Sequence, residues 1–312
     1  MKSPQVIEAS CEEVGAGTRP LARVAVILLN WNGLDDTLEC IHSLLEQDYP
    51  DFDVFVVDNG SSEDPEAAIG KFPRTTLIKT GSNYGFCRGN NIGIEAASRS
   101  GYQYCWILNN DTVVEPDALG ILVGFLEKHP ACNAVTNRIN YAYDRNSCWF
   151  AGGTIRAGVP SHRLVSSAQP SGNASMVVSD FLSGCSFLAK TGTLMDLGGF
   201  DENYFCYMED IDLSLRIKAL GGDLGYSEEA VVYHKVSRST GHHSPLKVYY
   251  KGRNFIYFCK KFSLGNGVLI KHFARSARLV FVLLIRNHDI RAAISLVRGI
   301  FHGLIGRTGR YG

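Results

Sequence analysis

From Arg23 onward, short apolar runs alternate with stretches of helical spacing, and each apolar run stops in polar residues. Val24 to Leu29 is continuous and of strand length, the pattern of a strand buried on both faces. It ends in the turn residues Asn30-Trp31-Asn32-Gly33. Leu38, Ile41, Leu44 and Leu45 then recur at helical intervals, with Asp35 or Asp36 placed to cap that helix. Val54 to Val57 reads as a second buried strand, stopping at Asp58-Asn59-Gly60-Ser61-Ser62. A third, about Thr76 to Lys79, leads through Gly81 to Gly93 into a helix carrying Ile94 and Ala97. Trp106 to Leu108 is a fourth, ending in Asn109-Asn110-Asp111-Thr112. Such alternation predicts an α/β fold with a mostly parallel central sheet and helices on both faces.

The second half is less regular. Trp149 to Gly153 reads as a strand and bend, and Arg156 to Gln169 as a flexible loop. Either shapes an acceptor site, with Trp149 and Gly184 as candidate contacts, or is a surface excursion. Asp180 to Lys190 is strand-like, with Gly184 allowing close packing. A helix begins near Glu209, its apolar face carried by Ile211, Leu215 and Ala219. Val231 to Tyr233 is a short strand ending at His234. Residues 1–22 lack periodicity and are expected to be a flexible tail. Residues 23–243 form the main body, and 244–312 a basic helical region.

In parallel α/β sheets, ligands bind outside the carboxyl ends of the strands. Three polar clusters fall there: Asn30 to Asn32, Asp58 to Ser62, and Asn109 to Asp111. One carboxylate beside two amides suits a hard cation that brings a diphosphate with it; an Asx-rich turn before a helix near Pro116 uses the same residues. The glycines from Gly85 to Gly93 allow close backbone approach, and Arg88 is placed to take a phosphate. No G-x-G-x-x-G follows the first strand and no G-x-x-x-x-G-K-[ST] occurs, which argues against a dinucleotide dehydrogenase and a P-loop. Glu209, Asp210 and Asp212 crowd a helix start, where the helix dipole favours acids. Their position beside Tyr204, Phe205, Tyr207 and Met208 also suits a general base. His234 is a candidate metal ligand at a strand end.

The 312 residues carry no net formal charge, yet the charge is unevenly placed. From Lys247 to the end there are 13 Lys and Arg and one acid, Asp289, which leaves 18 basic and 30 acidic side chains before it. Ile270, Phe273, Ala277, Val280, Phe281 and Leu284 form one apolar helical stripe, and Ile290 to Leu304 a second, with Asn287-His288-Asp289 as the turn. Two amphipathic, cationic helices point to an anionic membrane surface or to packing on protein, including a homodimer. The apolar stripes argue against nucleic acid as the partner. No apolar run approaches the ~18 residues of a spanning helix. Nine scattered cysteines without metal-like spacing, and no secretory pattern, predict reduced thiols in the cytoplasm. On that expectation the Asn173-Ala174-Ser175 sequon is unused.

Taken together, Val56 to Ser62, Asn83 to Gly93, Leu108 to Thr112, Gly198-Gly199-Phe200-Asp201 and Glu209 to Leu213 with Arg216 resemble, in that order, the family 2 glycosyltransferases. The likeness is to their bacterial rhamnosyltransferase-like branch and covers roughly Val24 to His234. It implies the GT-A nucleotide-diphospho-sugar transferase fold and an inverting, Mg²⁺- or Mn²⁺-dependent transfer. The donor implied is a dTDP- or UDP-sugar, with rhamnose as one candidate sugar, and the acceptor a hydroxyl of a cell-surface polysaccharide or lipid-linked glycan at the inner face of the cytoplasmic membrane. It implies that Asp58 accepts the N3–H of the base, with Asn30, Asn32, Asn59, Gly85, Arg88, Asn91, Asn109 and Asn110 around the donor. Asp111 is the last acid of the D-x-D metal motif, whose first position is here Asn109. By the same resemblance Asp210 is the catalytic base, Glu209 supports it or contacts the acceptor, and His234 joins Asp111 at the metal. The alternatives are a catalytically silent nucleotide-sugar or glycan-binding subunit and a peripheral membrane scaffold.

Overall fold

The computed structural model describes residues 5–7, 21–156, 159–162, 177–236 and 244–311. Strand β1 (Gln5–Ile7) precedes β2 (Val24–Asn30), helix α1 (Leu34–Leu45), β3 (Phe52–Asp58), the short α2 (Glu66–Ile69), β4 (Thr75–Lys79), α3 (Gly85–Arg99) and β5 (Tyr104–Asn109). Then come β6 (Thr112–Val114), α4 (Ala118–Lys128), β7 (Cys132–Tyr141), β8 (Asp144–Phe150), β9 (Gly153–Arg156), β10 (Val159–His162), β11 (Val177–Val178) and β12 (Ser186–Lys190). The chain closes with α5 (Thr191–Asp196), α6 (Glu209–Ala219), β13 (Asp223–His234), α7 (Pro245–Lys261), α8 (Asn266–Ile285) and α9 (Ile290–Leu304).

The main sheet runs β1-β4-β3-β2-β5-β12-β7-β13-β11, with β6 on β13 and β8 on β7. Its first half, β4-β3-β2-β5, is parallel, as strand–helix alternation requires. β12 enters antiparallel between β5 and β7, so the second half is mixed. The continuous apolar run of β2 has a direct cause. Val24, Val26 and Leu28 enter one core with residues of α1 and α4, whereas Ala25 and Ile27 enter the other with residues of α3, α5 and α6. All five are fully buried, and each of the larger ones stabilises the fold by roughly 1.5–3 kcal/mol.

Two expectations are revised. Residues 1–22 were read as a tail without regular structure, yet Gln5–Ile7 adds an antiparallel strand to the β4 edge, where unpaired N–H and C=O groups accept one. Arg156–Gln169 was read as a loop, yet Val159–His162 pairs back on Gly153–Arg156 as a separate two-stranded hairpin. The remainder of the tail up to residue 20, the rest of that loop and the sequon at Asn173 lie outside the described residues.

Helix α7 begins at Ser244, whose hydroxyl accepts from the Lys247 N–H as an N-cap. It is no surface appendage: Phe258 lies in the core shared with β2 and α6, and Arg253 and Asn254 are buried. Helix α9 approaches it at backbone distance, since a Cβ on Gly299 would stand 2.3 Å from the Tyr249 carbonyl oxygen. Helix α8 is held more loosely and buries only Ser276 and Leu283. The outer face of α8 and α9 leaves Phe281, Ile294, Val297 and Phe301 more than half exposed.

Candidate active site

The ends of β2, β3 and β5 bring the predicted clusters together because these strands pair in register: Asn30 lies opposite Asp58, and Leu29 opposite Asn109. Asn30 Nδ2 donates to Asp58 Oδ1 at 2.9 Å, and the Ser61 N–H reaches the other carboxylate oxygen at 3.3 Å. Asp58 is thereby buried and fixed. Asn32 ties the facing loop by accepting from the Ser62 N–H at 2.8 Å. A cleft of about 180 Å³ opens here, lined by Asn30, Asn32, Leu34, Asp35, Ser61, Ser62 and Glu63. The expected aspartate cap of α1 is not formed: Gly33 is the N-cap, without a side-chain bond, and Asp36 pairs with Lys235.

Asp111 follows β5, and β13 returns antiparallel to β6, setting His234 opposite Thr112. Asp111 Oδ1 and His234 Nε2 consequently stand 3.1 Å apart. Burial works against an imidazolium at His234, yet neighbouring Cys185 and Asp111 outweigh it and raise the imidazole above its ordinary value. Burial likewise works against the Asp111 carboxylate, but His234 holds it below the usual range. His234 Nδ1 is buried without a hydrogen-bond partner, and Trp149 packs edge-on against the ring at 4.9 Å. One cation fits this pair, because two ligands at about 2.1 Å and right angles to each other sit roughly 3 Å apart. Among the described residues no group of three or more His, Cys, Asp or Glu completes a metal cage. An ion held by this pair alone would need further oxygen ligands from outside the protein, as Mg²⁺ usually has.

The second carboxylate centre is built at the start of α6. Phe205, Tyr207 and Met208 all have positive φ, at 66°, 69° and 78°, a strained approach for residues with side chains. Gly85 leaves room for it, since a Cβ there would meet Phe205 Cδ2 at 2.5 Å. Asp210 accepts from the Gly184 N–H at 3.1 Å and from its neighbour Ile211 N–H at 2.9 Å. Burial raises the Asp210 carboxyl despite those bonds. Glu209 is raised further, by burial and then by Asp210, and its Oε2 has no partner. Asp212 is structural: it takes Arg216 at 2.5 Å and Lys261 at 2.6 Å.

The two centres are joined through adjacent residues. Cys185 accepts at its carbonyl from the Asn109 N–H at 2.8 Å, while Gly184 holds Asp210. Gly184, read as an acceptor contact, therefore positions the carboxylate.

Other predicted residues are used in holding loops. Asn59 Nδ2 donates to the Gly85 carbonyl and its Oδ1 accepts from the Tyr84 N–H. Asn91 grips Phe200 through both its backbone N–H and its carbonyl. Asn110 is tied to Thr37 and Gly33. Arg88, read as a phosphate ligand, has its charge balanced by Glu95 and Glu202, each at 3.2 Å. Sequence reasoning missed Asn254, whose amide donates to the carbonyls of Tyr204, Cys206 and Tyr207 at 3.0, 2.7 and 2.8 Å. It also missed Arg253, which takes the carbonyls of Asn203 and Tyr204, and His162, which packs against Trp149 at 5.4 Å. The one available signal was an Arg-Asn pair inside an aromatic helical stretch, a place where buried polar groups need partners.

Residues 25–177 match the family described as Glycosyl transferase family 2. Among curated proteins, the chain is 29% identical over 216 residues to an N-acetylglucosaminyl-diphospho-decaprenol L-rhamnosyltransferase of Mycobacterium tuberculosis, covering 60% of this chain and 68% of that one. It is 24% identical over 221 residues to a poly-beta-1,6-N-acetyl-D-glucosamine synthase of Staphylococcus epidermidis, covering 70% of this chain and 51%, about half, of the synthase. Among solved structures, the mannosyltransferase PcManGT from Pyrobaculum calidifontis, in complex with GDP-Man and Mn²⁺, superposes with a TM-score of 0.59 at 17% identity over 91% of this chain and 88% of that one. GalNAc-T7 with UDP, GalNAc and Mn²⁺ gives a TM-score of 0.62 at 14% identity over 78% of this chain and 48% of that one. The fold is the GT-A fold, and the chain belongs to glycosyltransferase family 2.

Proposed function

We propose that this glycosyltransferase is inverting and metal-dependent, and moves a sugar from a dTDP- or UDP-sugar to a hydroxyl of a cell-surface or lipid-linked glycan. The observation that carries this reading is the pair of centres one residue apart: Asp210 on the Gly184 N–H, and Asp111 with His234 beside Cys185. Rhamnose is the favoured sugar, because the mycobacterial relative is named for it.

Asp58, oriented by Asn30, accepts the N3–H of the pyrimidine base. Asp111 and His234 would hold Mg²⁺ or Mn²⁺, which would neutralise charge on the leaving diphosphate. The acceptor hydroxyl hands its proton to Asp210 as its oxygen bonds to the anomeric carbon. The bond from that carbon to the diphosphate oxygen breaks on the opposite face, and the nucleoside diphosphate departs with the electron pair. Two backbone N–H groups aim the Asp210 carboxylate, while burial makes it more basic than an exposed aspartate. A single displacement from the opposite face needs one base and no protein nucleophile, and it inverts the centre, in contrast to the paired carboxylates of retaining hydrolases. Burial and the neighbouring Asp210 raise the carboxyl of Glu209, which is buried without a partner at Oε2, and so favour its neutral form beside the base.

The test is Asp210→Asn. General-base assistance is worth about 10²–10⁴ in rate, so turnover falls by at least that lower factor while nucleotide-sugar binding is kept. Near-normal turnover removes Asp210 from the role.

The outer face of α8 and α9 supports a position on an anionic membrane surface at the cytoplasmic side. Val280, Leu284, Ala293, Ile294, Val297 and Phe301 line an apolar groove of about 450 Å³, with Arg298 also in its lining. No helix among the described residues is long and apolar enough to cross a membrane.

A further inference from the structure

Helix α7 carries five cations: Lys247, Lys251, Arg253, Lys260 and Lys261. Three are used within the protein. Arg253 binds the carbonyls of the catalytic turn, Lys260 caps α9 through the carbonyls of Gly303 and Leu304 at 3.0 and 2.7 Å, and Lys261 pairs with Asp201 and Asp212. Lys247 and Lys251 differ. Neither has a carboxylate or hydrogen-bond partner on its side chain among the described residues. They are one helical turn apart, so their ammonium groups share a face and repel each other.

The location of this pair gives it meaning. Lys251 Nζ stands 5.5 Å above the Tyr207 ring, over the strained turn that leads into Glu209 and Asp210. It lies within electrostatic reach of both carboxylates, and Lys247 and His162 lie within its reach in turn. Neither carboxylate hydrogen-bonds it: Asp210 is held by backbone N–H groups, and burial and then Asp210 raise the Glu209 carboxyl. Two ammonium groups that make no ion pair or side-chain hydrogen bond among the described residues, at the mouth of this centre, call for an anion. Lysine is an effective phosphate binder as a point charge. Two of them one turn, about 5.4 Å, apart along a helix suit an anion spread over two phosphoryl groups.

The diphosphate of the donor belongs at Asp111 and His234, on the far side of the Gly184–Cys185 link. An anion on the α7 side therefore belongs to the other substrate. We infer that Lys247 and Lys251 form a subsite for a diphosphate on the acceptor, holding a glycosyl diphosphate lipid so that its sugar hydroxyl faces Asp210. This rests on the assignment of Asp210 as the base.

The experiment measures binding without turnover, so its outcome is separate from that of Asp210→Asn. Geranyl diphosphate is titrated calorimetrically into the full chain in EDTA, which removes the metal-dependent donor site. The wild type binds saturably. Lys247→Gln with Lys251→Gln weakens binding by about tenfold or more, the worth of hydrogen bonds to charged groups, while Lys247→Arg with Lys251→Arg keeps most of it. Asp111→Ala stays within twofold of wild type. A parallel arm follows sedimentation with phosphatidylglycerol vesicles, which the glutamine pair leaves unchanged. The inference is overturned if the wild type does not bind at millimolar geranyl diphosphate, if the glutamine pair binds as the wild type does, or if vesicle binding falls in parallel. The last outcome assigns the lysines to bilayer headgroups.

Discussion

Asn254 clamps the strained turn that leads into Glu209 and Asp210. It is fully buried, and its one amide group serves three carbonyls of the 204–207 segment. In Asn254→Leu the volume is nearly kept and the donor is lost. The Tyr204 carbonyl retains Arg253 at 2.7 Å, but those of Cys206 and Tyr207 lose this donor. At about 1–3 kcal/mol for each carbonyl that loses this bond, the change costs roughly 2–6 kcal/mol. The strain it opposes is of the same size, since three left-handed residues cost about 1–3 kcal/mol each. Even the lower figure shifts the turn towards a relaxed form by more than about tenfold. The variant is expected to lose at least about tenfold in kcat, with its melting temperature lowered. Nucleotide binding stays unchanged, because Asp58 and Asn30 share no contact with this turn. Steady-state transfer assays with thermal melts and nucleotide titration read all three. Wild-type kcat with wild-type stability would refute the clamp; wild-type kcat with lowered stability would show that Asn254 serves the fold and not the site.

Other expectations follow from the same geometry. Asp111→Ala abolishes the metal dependence of nucleotide-sugar binding, read by titration with Mn²⁺ and with EDTA; an unchanged metal requirement refutes the ion site. Burial raises Glu209 above its ordinary 4.5, so its contribution to stability is complete below that value and is lost as pH rises through the higher folded value. Glu209→Gln should therefore flatten the fall in the urea midpoint above pH 4.5, and an unaltered slope shows that the carboxyl is not held neutral. Val297→Asp with Phe301→Asp, both more than half exposed, should abolish flotation with anionic vesicles while leaving turnover of a water-soluble acceptor intact; retained flotation removes α8 and α9 from the membrane role.

Much of the architecture was legible in the chain because its cause is local. A strand buried on both faces must be apolar at every position, and Val24 to Leu29 and Val54 to Val57 are. A parallel sheet must also collect its polar loops at one edge, which put Asn30, Asp58 and Asp111 in view before any coordinates. The start of α6 at Glu209 was legible from helical spacing alone. The amides were not separable by sequence. Asn59 and Asn91 have the same chemistry as Asn30, but what decides their use is a partner far along the chain. For Asn91 that partner is Phe200, 109 residues away.

Tertiary structure alone decided three things. β12 inserts antiparallel beside β5, which carries Gly184 to Asp210 and Cys185 to the Asp111 corner. β13 sets His234 opposite Thr112, so a lone histidine becomes the neighbour of Asp111. α7, a run of aromatic and basic residues, turns Arg253 and Asn254 inward to satisfy the carbonyls of the strained turn, and leaves Lys247 and Lys251 without an ion pair among the described residues. Periodicity in a sequence records which face of an element is buried. It does not record what fills that face, because the match between a donor and a distant carbonyl is set only when the elements pack.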